Sequence, residues 1–213
     1  MEESKAIKSV RNKIIITIIG KRFSGKTTLL NSLIFPEIIK NNAYIMTCGY
    51  DIRFLPINDS ILIKFYDIGE IELQPNESII QSMSWQSHYI IYLIDPKIKE
   101  SMKCIGIFEE VFKENKKMII FNKIAQIQDI NLFNQNQSIR DFIKKYDIKN
   151  IFYVNSFDSK SVSDFKNSLF NLIKGDIINK AINNIKNEDL NHNPVLYHNP
   201  MLNFSKKINS KNI

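Results

Sequence analysis

Lys13-Ile14-Ile15-Ile16-Thr17-Ile18-Ile19-Gly20-Lys21-Arg22-Phe23-Ser24-Gly25-Lys26-Thr27-Thr28 is the stretch whose reading decides the fold. Ile14 to Ile19 is almost continuously apolar, as in a strand covered on both faces. The next eight residues fit G-x-x-x-x-G-K-[ST] at every fixed position, and a helix is predicted over residues 26–34. Strand before and helix after is the context in which this motif holds phosphate. Gly20 and Gly25 let the backbone of Lys21, Arg22, Phe23 and Ser24 curl with its N–H groups inward. The helix adds the positive end of its dipole. Lys26 supplies a cation for β and γ phosphates, and Thr27 a hydroxyl for Mg²⁺. Thr28, next in line, completes the phosphate-binding candidates. The whole chain has only six glycines, so two at the fixed positions argue against a chance match.

Working outward, strands and helices alternate through residues 13–174. Strands are predicted over residues 13–20, 49–56, 61–67, 89–95, 117–122 and 150–155, and helices over 26–34, 78–86, 99–114, 137–146 and 161–174. Asn58-Asp59 reads as a hairpin turn. Ser161 is expected to cap the last helix, with Asp164 near its positive end, and Ile177, Ala181 and Ile185 extend that helix at intervals of four. The alternation implies an α/β sheet whose ligands bind beyond the carboxyl ends of its strands. The expected domains are a polar extension (1–12), the α/β domain (13–186) and an Asn-rich tail (187–213). In that tail His192-Asn193-Pro194-Val195-Leu196 nearly repeats as His198-Asn199-Pro200-Met201-Leu202. It reads as disordered low-complexity chain, or as a short docking peptide.

Composition removes several function classes. The chain has 213 residues, 44% hydrophobic and 24% charged, enough for one domain with its own core. The net charge of +7 comes with a Lys-, Asn- and Ile-rich composition and no long basic run, so nucleic acid is not an expected partner. No apolar run approaches a membrane span, the N-terminus lacks a signal segment, and Glu2 excludes N-myristoylation. Cys48 and Cys104 form neither a disulfide framework nor a metal spacing. A reduced, cytoplasmic, monomeric protein without a stable membrane anchor is expected.

Two further segments narrow the phosphate chemistry. Thr47 lies between the first helix and the second strand, where a loop can bring it to Mg²⁺ and the γ-phosphate. Asp67-Ile68-Gly69 ends the third strand and places a carboxylate near the same metal. With these residues in this order, the sequence resembles the Arf and Arf-like branch of the Ras-type small GTPases. Tyr44-Ile45-Met46-Thr47-Cys48-Gly49-Tyr50-Asp51 resembles that branch's T-I-P-T-V-G-F-N. Tyr66-Asp67-Ile68-Gly69 resembles W-D-V-G-G, Phe121-Asn122-Lys123 the start of N-K-x-D, and Asn155-Ser156 the S-A loop near the base.

The resemblance covers residues 13–174 and implies a three-layer P-loop NTPase fold: a six-stranded, mostly parallel sheet with helices on both faces. It implies GTP or GDP with Mg²⁺ as ligands, and effector or regulator proteins as partners of the switch regions. The loop from Gly20 to Gly25 with Lys26 would hold phosphates. Thr27 and Thr47 would ligate Mg²⁺, with Asp67 reaching it through water. Gly69 and Glu70 would face the γ-phosphate. Asn122 would brace the loops around the base, Lys123 would stack on the purine, and Asn155 and Ser156 would approach it. Three family positions differ: Glu70 replaces a glycine, Ile71 the glutamine that orients water, and Ala125 the aspartate that reads guanine. Slow hydrolysis, a muted switch and weak guanine selectivity follow. Two alternatives stand beside this reading. One is a pseudo-GTPase scaffold that has lost nucleotide cycling; the other is a P-loop kinase or ATPase, for which no acceptor element is legible.

Overall fold

The computed structural model describes residues 12–37, 47, 49–69, 78–98, 111–124, 130 and 136–191. In chain order the elements are β1 (Asn12–Ile19), α1 (Lys26–Ile34), β2 (Tyr50–Asn58), β3 (Ile61–Ile68), α2 (Ser78–Gln86), β4 (Tyr89–Ile94), β5 (Lys116–Asn122), α3 (Gln137–Lys145), β6 (Asn150–Val154) and α4 (Ser159–Asn191). Asn12, expected in a polar extension, is thus the first residue of β1. The helix expected over 99–114 lies mostly outside the described residues, and its described end, Val111 to Glu114, forms a turn.

The six strands form one sheet in the order β2-β3-β1-β4-β5-β6. β1 pairs in parallel with β3 and β4, and β4–β5 and β5–β6 are parallel, but β2 runs antiparallel to β3. The sheet is therefore mixed, which corrects the expectation of a mostly parallel one. The cause is local. A turn at Asn58 to Ser60, closed by the Ser60 N–H donating to Asn58 Oδ1 at 2.9 Å, is too short for a crossover and joins only antiparallel neighbours. Pro56 lacks an N–H, yet β2 accommodates it as an edge strand with a register irregularity between Pro56 and Asn58.

Apolar burial on both faces of the central strands fixes their place. All six residues of β4 are buried. Ile19, Tyr66, Tyr92, Ile119 and Phe121 share one cluster with Ile80 and Met83 of α2 and Ile139 of α3. The alternate residues Ile18, Phe65, Ile91 and Ile120 are buried as well, and Phe152 of β6 meets Phe165 of α4 edge-on at 5.1 Å. β1, β3, β4, β5 and β6 all run the same way, so their carboxyl ends share one edge. Gly20, Asp67, Asp95, Asn122 and Asn155 lie there, each at or just past a strand end.

The chain divides into two compact units, Met1–Phe170 and Asn171–Ile213. In the second, the described chain is helical as far as Asn191, five residues into the expected tail. The repeated His-Asn-Pro segments lie outside the described residues. At its start, α4 departs from the predicted cap. Asp158, not Ser161, precedes the helix, and Asp158 Oδ1 accepts the Lys160 N–H at 3.0 Å. Ser161 sits inside the first turn, where its hydroxyl accepts the Asn155 N–H at 2.9 Å, and Asp164 falls beyond the first turn, which holds no acidic residue. Asp158→Ala should therefore cost about 1 kcal/mol; urea unfolding of wild type and variant measures it, and a loss as large from Asp164→Ala would contradict this assignment.

Candidate functional site

The phosphate-loop candidates form a closed turn on the end of β1. The Ser24 N–H donates to the Lys21 carbonyl at 3.1 Å, and the Leu29 N–H to the Gly25 carbonyl at 2.8 Å. Lys26, at the first position of α1, lays its ammonium back across the loop, donating to the carbonyls of Gly20 at 2.8 Å and Lys21 at 3.2 Å. Arg22 stacks over the Phe23 ring at 4.9 Å. Gly25 has φ +93°, which a side chain disfavours, and a Cβ there would stand 2.5 Å from Asn122 Nδ2. Both loop glycines thus answer to close packing: a Cβ on Gly20 would meet the Leu93 carbonyl oxygen at 2.4 Å. Ser24 is fully buried, and its Oγ has no hydrogen-bond partner among the described residues. Thr28 follows in the first turn of α1, its carbonyl accepting Ser32 Oγ at 2.8 Å.

Beside the loop, three oxygen-bearing side chains from three elements converge. The Thr27 hydroxyl donates to Asp67 Oδ2 at 2.7 Å and lies 2.9 Å from the Thr47 hydroxyl. Gly69 brings Thr47 close: its N–H donates to the Gly49 carbonyl at 2.8 Å, and a Cβ on Gly69 would stand 2.1 Å from the Thr47 carbonyl oxygen. Asp67 is fully buried, and its Oδ1 has no hydrogen-bond partner among the described residues. Hydroxyl and carboxylate oxygens are the hard donors that Mg²⁺ takes. A buried carboxylate oxygen without a partner is what a cation, directly or through water, would satisfy. These residues fit Mg²⁺, with Thr27 and Thr47 as candidate ligands and Asp67 behind them.

Burial pushes the Asp67 carboxyl above its ordinary value of 3.8, against downward pulls from the Thr27 hydrogen bond and the Lys26 and Arg53 charges; Asp51 pushes it further up. The folded state therefore holds this proton more tightly than the unfolded one. Stability from this group is present at low pH and declines as pH rises from 3.8 through the folded pKa. In ligand-free protein, Asp67→Asn should raise the melting temperature at neutral pH and flatten that decline. A variant less stable than wild type at pH 7, with an unchanged pH profile, would contradict the assignment.

The candidates on the base side also come together. Asn122 is fully buried at the end of β5. Its Nδ2 donates to the Ser24 carbonyl at 2.8 Å, and its Oδ1 accepts from the Ser156 N–H at 3.2 Å and the Ser156 hydroxyl at 2.7 Å. One amide thus ties the phosphate loop to the loop after β6. The Ser156 carbonyl accepts Ser32 Oγ at 2.8 Å, which adds α1 to the brace. Asn155 Oδ1 accepts the Phe157 N–H at 3.1 Å. Lys123, with φ +60°, sends its ammonium to the Phe23 carbonyl and to Asp95 Oδ2, the latter at 2.7 Å.

Glu70, Ile71 and Ala125 lie outside the described residues. Sequence reasoning missed Asp95, buried at the end of β4, which holds the Lys123 ammonium, and Arg53 of β2, whose Nε is 3.9 Å from Asp67 Oδ2. It also missed a groove of about 340 Å³ lined by Tyr50, Tyr66, Ser78, Ile79, Ser82, Met83 and Gln86. Beside it β2 exposes Tyr50, Ile52 and Phe54, and α2 exposes Trp85 at 84%. The signal was present: Tyr50, Ile52 and Phe54 alternate along an edge strand. Among the described residues no group of three His, Cys, Asp or Glu side chains clusters as a metal site, and no helix is long and apolar enough to cross a membrane. No family model matches the chain, and no curated protein matches it.

Proposed function

We propose that this chain is a divergent Arf-like small GTP-binding protein, built on a three-layer P-loop fold, that holds GTP or GDP with Mg²⁺. One observation carries the reading: Lys26, Thr27, Thr47 and Asp67 meet beside the glycine loop, with Asn122 bracing that loop to Ser156. In that role the Lys26 ammonium exchanges its carbonyl partners for phosphate oxygens, a charge-assisted contact. Mg²⁺, when bound, neutralises phosphate charge; Thr27 and Thr47 offer it hydroxyl oxygens, and Asp67 accepts the Thr27 proton and fixes its lone pairs. Asp95 holds the Lys123 ammonium so that its aliphatic stem can cover one face of the base. The exposed apolar row of β2 and the groove beside α2 provide the partner surface. Ile71 has no group to orient water, so hydrolysis is slow. Ala125 cannot accept hydrogen bonds from guanine, so discrimination against adenine is weak.

Melting curves with and without millimolar Mg²⁺·GDP, Mg²⁺·GTP and Mg²⁺·ATP test this reading. Binding raises the melting temperature by mass action, and the expected order is a clear shift with guanine nucleotides and a smaller one with ATP. No shift with any of the three would favour the second reading, a scaffold without nucleotide. That reading has one observation of its own: the Lys26 and Lys123 ammoniums already bond within the protein.

A further inference from the structure

The Asp67 carboxylate has a second cation beside it that belongs to neither the phosphate loop nor the metal-ligand set. Asp51 of β2 pairs directly opposite Asp67 of β3, and Arg53, two residues along, is on the same face. The Arg53 guanidinium is held on one side by Asp51 Oδ2, 2.9 Å from Nη2, and on another by Asn31 Oδ1 of α1, which accepts from Nη1. Its Nε is buried, has no hydrogen-bond partner among the described residues, and lies 3.9 Å from Asp67 Oδ2. Asp67 Oδ1 is likewise buried without a partner among the described residues. A buried donor and a buried carboxylate oxygen thus stand 3.9 Å apart, about 0.7 Å beyond hydrogen-bond range. A small rotation joins them.

We propose that Arg53 is a positioning residue that competes with Mg²⁺ for Asp67, so that the cation requirement of the site is set from the edge strand. This rests on the reading of the site as a Mg²⁺–nucleotide site. A guanidinium within a few ångströms of Asp67 neutralises the carboxylate that would otherwise favour the divalent ion, and it repels that ion through a partly desolvated medium. Asp51 and Asn31 oppose this by holding the guanidinium back. The arrangement has two settings. In one, Arg53 leans on Asp67 and the metal is weakly held; in the other, Arg53 is retained by Asp51 and Asn31 and Asp67 serves the metal.

The plain structural role, a staple from edge strand β2 to α1, would affect stability and leave metal dependence alone. The test titrates Mg²⁺ against a fluorescent GDP analogue bound to the full chain, reading the Mg²⁺ concentration for half-maximal retention, and records melting curves of the nucleotide-free protein alongside. Arg53→Gln should lower that concentration about tenfold, or about 1.4 kcal/mol. Arg53→Lys, which keeps the charge, should stay near wild type. Asp51→Asn, which frees Arg53 and removes a negative charge, should raise it, and it decides the matter if Arg53→Gln fails to fold. Equal Mg²⁺ midpoints in wild type, Arg53→Gln and Asp51→Asn, with nucleotide still bound, would overturn the role of Arg53 and leave the nucleotide reading standing. A wild type that binds no nucleotide at any Mg²⁺ concentration would overturn both.

Discussion

Lys26→Ala is expected to weaken nucleotide binding by at least about 100-fold while leaving the ligand-free fold almost as stable as before. Lys26 is 7% exposed, and its ammonium donates to the carbonyls of Gly20 and Lys21 in its own loop. Bound phosphate would convert these into charge-assisted bonds, each contributing about 1.5–3 kcal/mol. Two such bonds lost correspond to about two to four orders of magnitude in affinity. Without ligand, the same change removes two neutral-acceptor bonds and also a desolvated charge, so opposing terms keep the net within about 1 kcal/mol. Titration with Mg²⁺·GDP gives the first quantity and urea unfolding the second. A variant that binds like wild type would mean that phosphate does not lie against this lysine.

Asn122→Ala is expected to produce the largest stability loss of any single change at the site. The amide serves three partners at once: the Ser24 carbonyl, the Ser156 N–H and the Ser156 hydroxyl. The hydroxyl can turn elsewhere, but the buried carbonyl and N–H lose their partner, at about 1–3 kcal/mol each. A total of about 2–6 kcal/mol lowers the melting temperature by roughly 4–24 °C in a chain of this size. Ser156→Ala removes one of the three bonds and should cost less, about 1 kcal/mol. Asn122→Asp keeps the acceptor for Ser156 but turns a carboxylate toward the Ser24 carbonyl, so it should not rescue. A melting temperature for Asn122→Ala within 2 °C or so of wild type would show that the two loops hold their places without the brace.

The strands were legible because their signal is local. Runs such as Ile14 to Ile19 and Tyr89 to Ile94 have no polar face to satisfy, so only the centre of a sheet accommodates them. Predicted strand limits fall within one or two residues of those observed, and α1 and α2 match theirs. The glycine loop between β1 and α1 was legible for the same reason: Gly20, Gly25, Lys26 and Thr27 lie within eight residues. What escaped depends on partners distant in sequence. Arg53 and Asp51 alternate with apolar residues along β2, and only the antiparallel register that sets Asp51 opposite Asp67 brings them to the site. Asp95 reads as a strand-end residue until Lys123, 28 positions later, is seen to bond it. The cap of α4 went to Ser161 because Ser is as good a cap as Asp, and the choice was made by the Asn155 N–H, which engages the Ser161 hydroxyl.

Thr47 and Asp67 illustrate the middle case. Their order along the chain and their place at loop and strand end pointed to one metal, and the Thr27 hydroxyl bridges them. Sequence did not disclose that Asp67 is wholly buried, with a pKa displaced upward by that burial. That consequence follows from its place on β3, the neighbour of both β1 and β2.

The most direct test of the central claim is chemical. Wild-type protein, purified without added nucleotide in Mg²⁺-containing buffer, is denatured, and the released small molecules are separated by chromatography. The account predicts bound nucleotide, guanine with a smaller share of adenine, at up to one equivalent per chain, and its disappearance from Lys26→Ala prepared in the same way. Release of no nucleotide, together with no change in melting temperature at millimolar Mg²⁺·GDP, Mg²⁺·GTP or Mg²⁺·ATP, would contradict it.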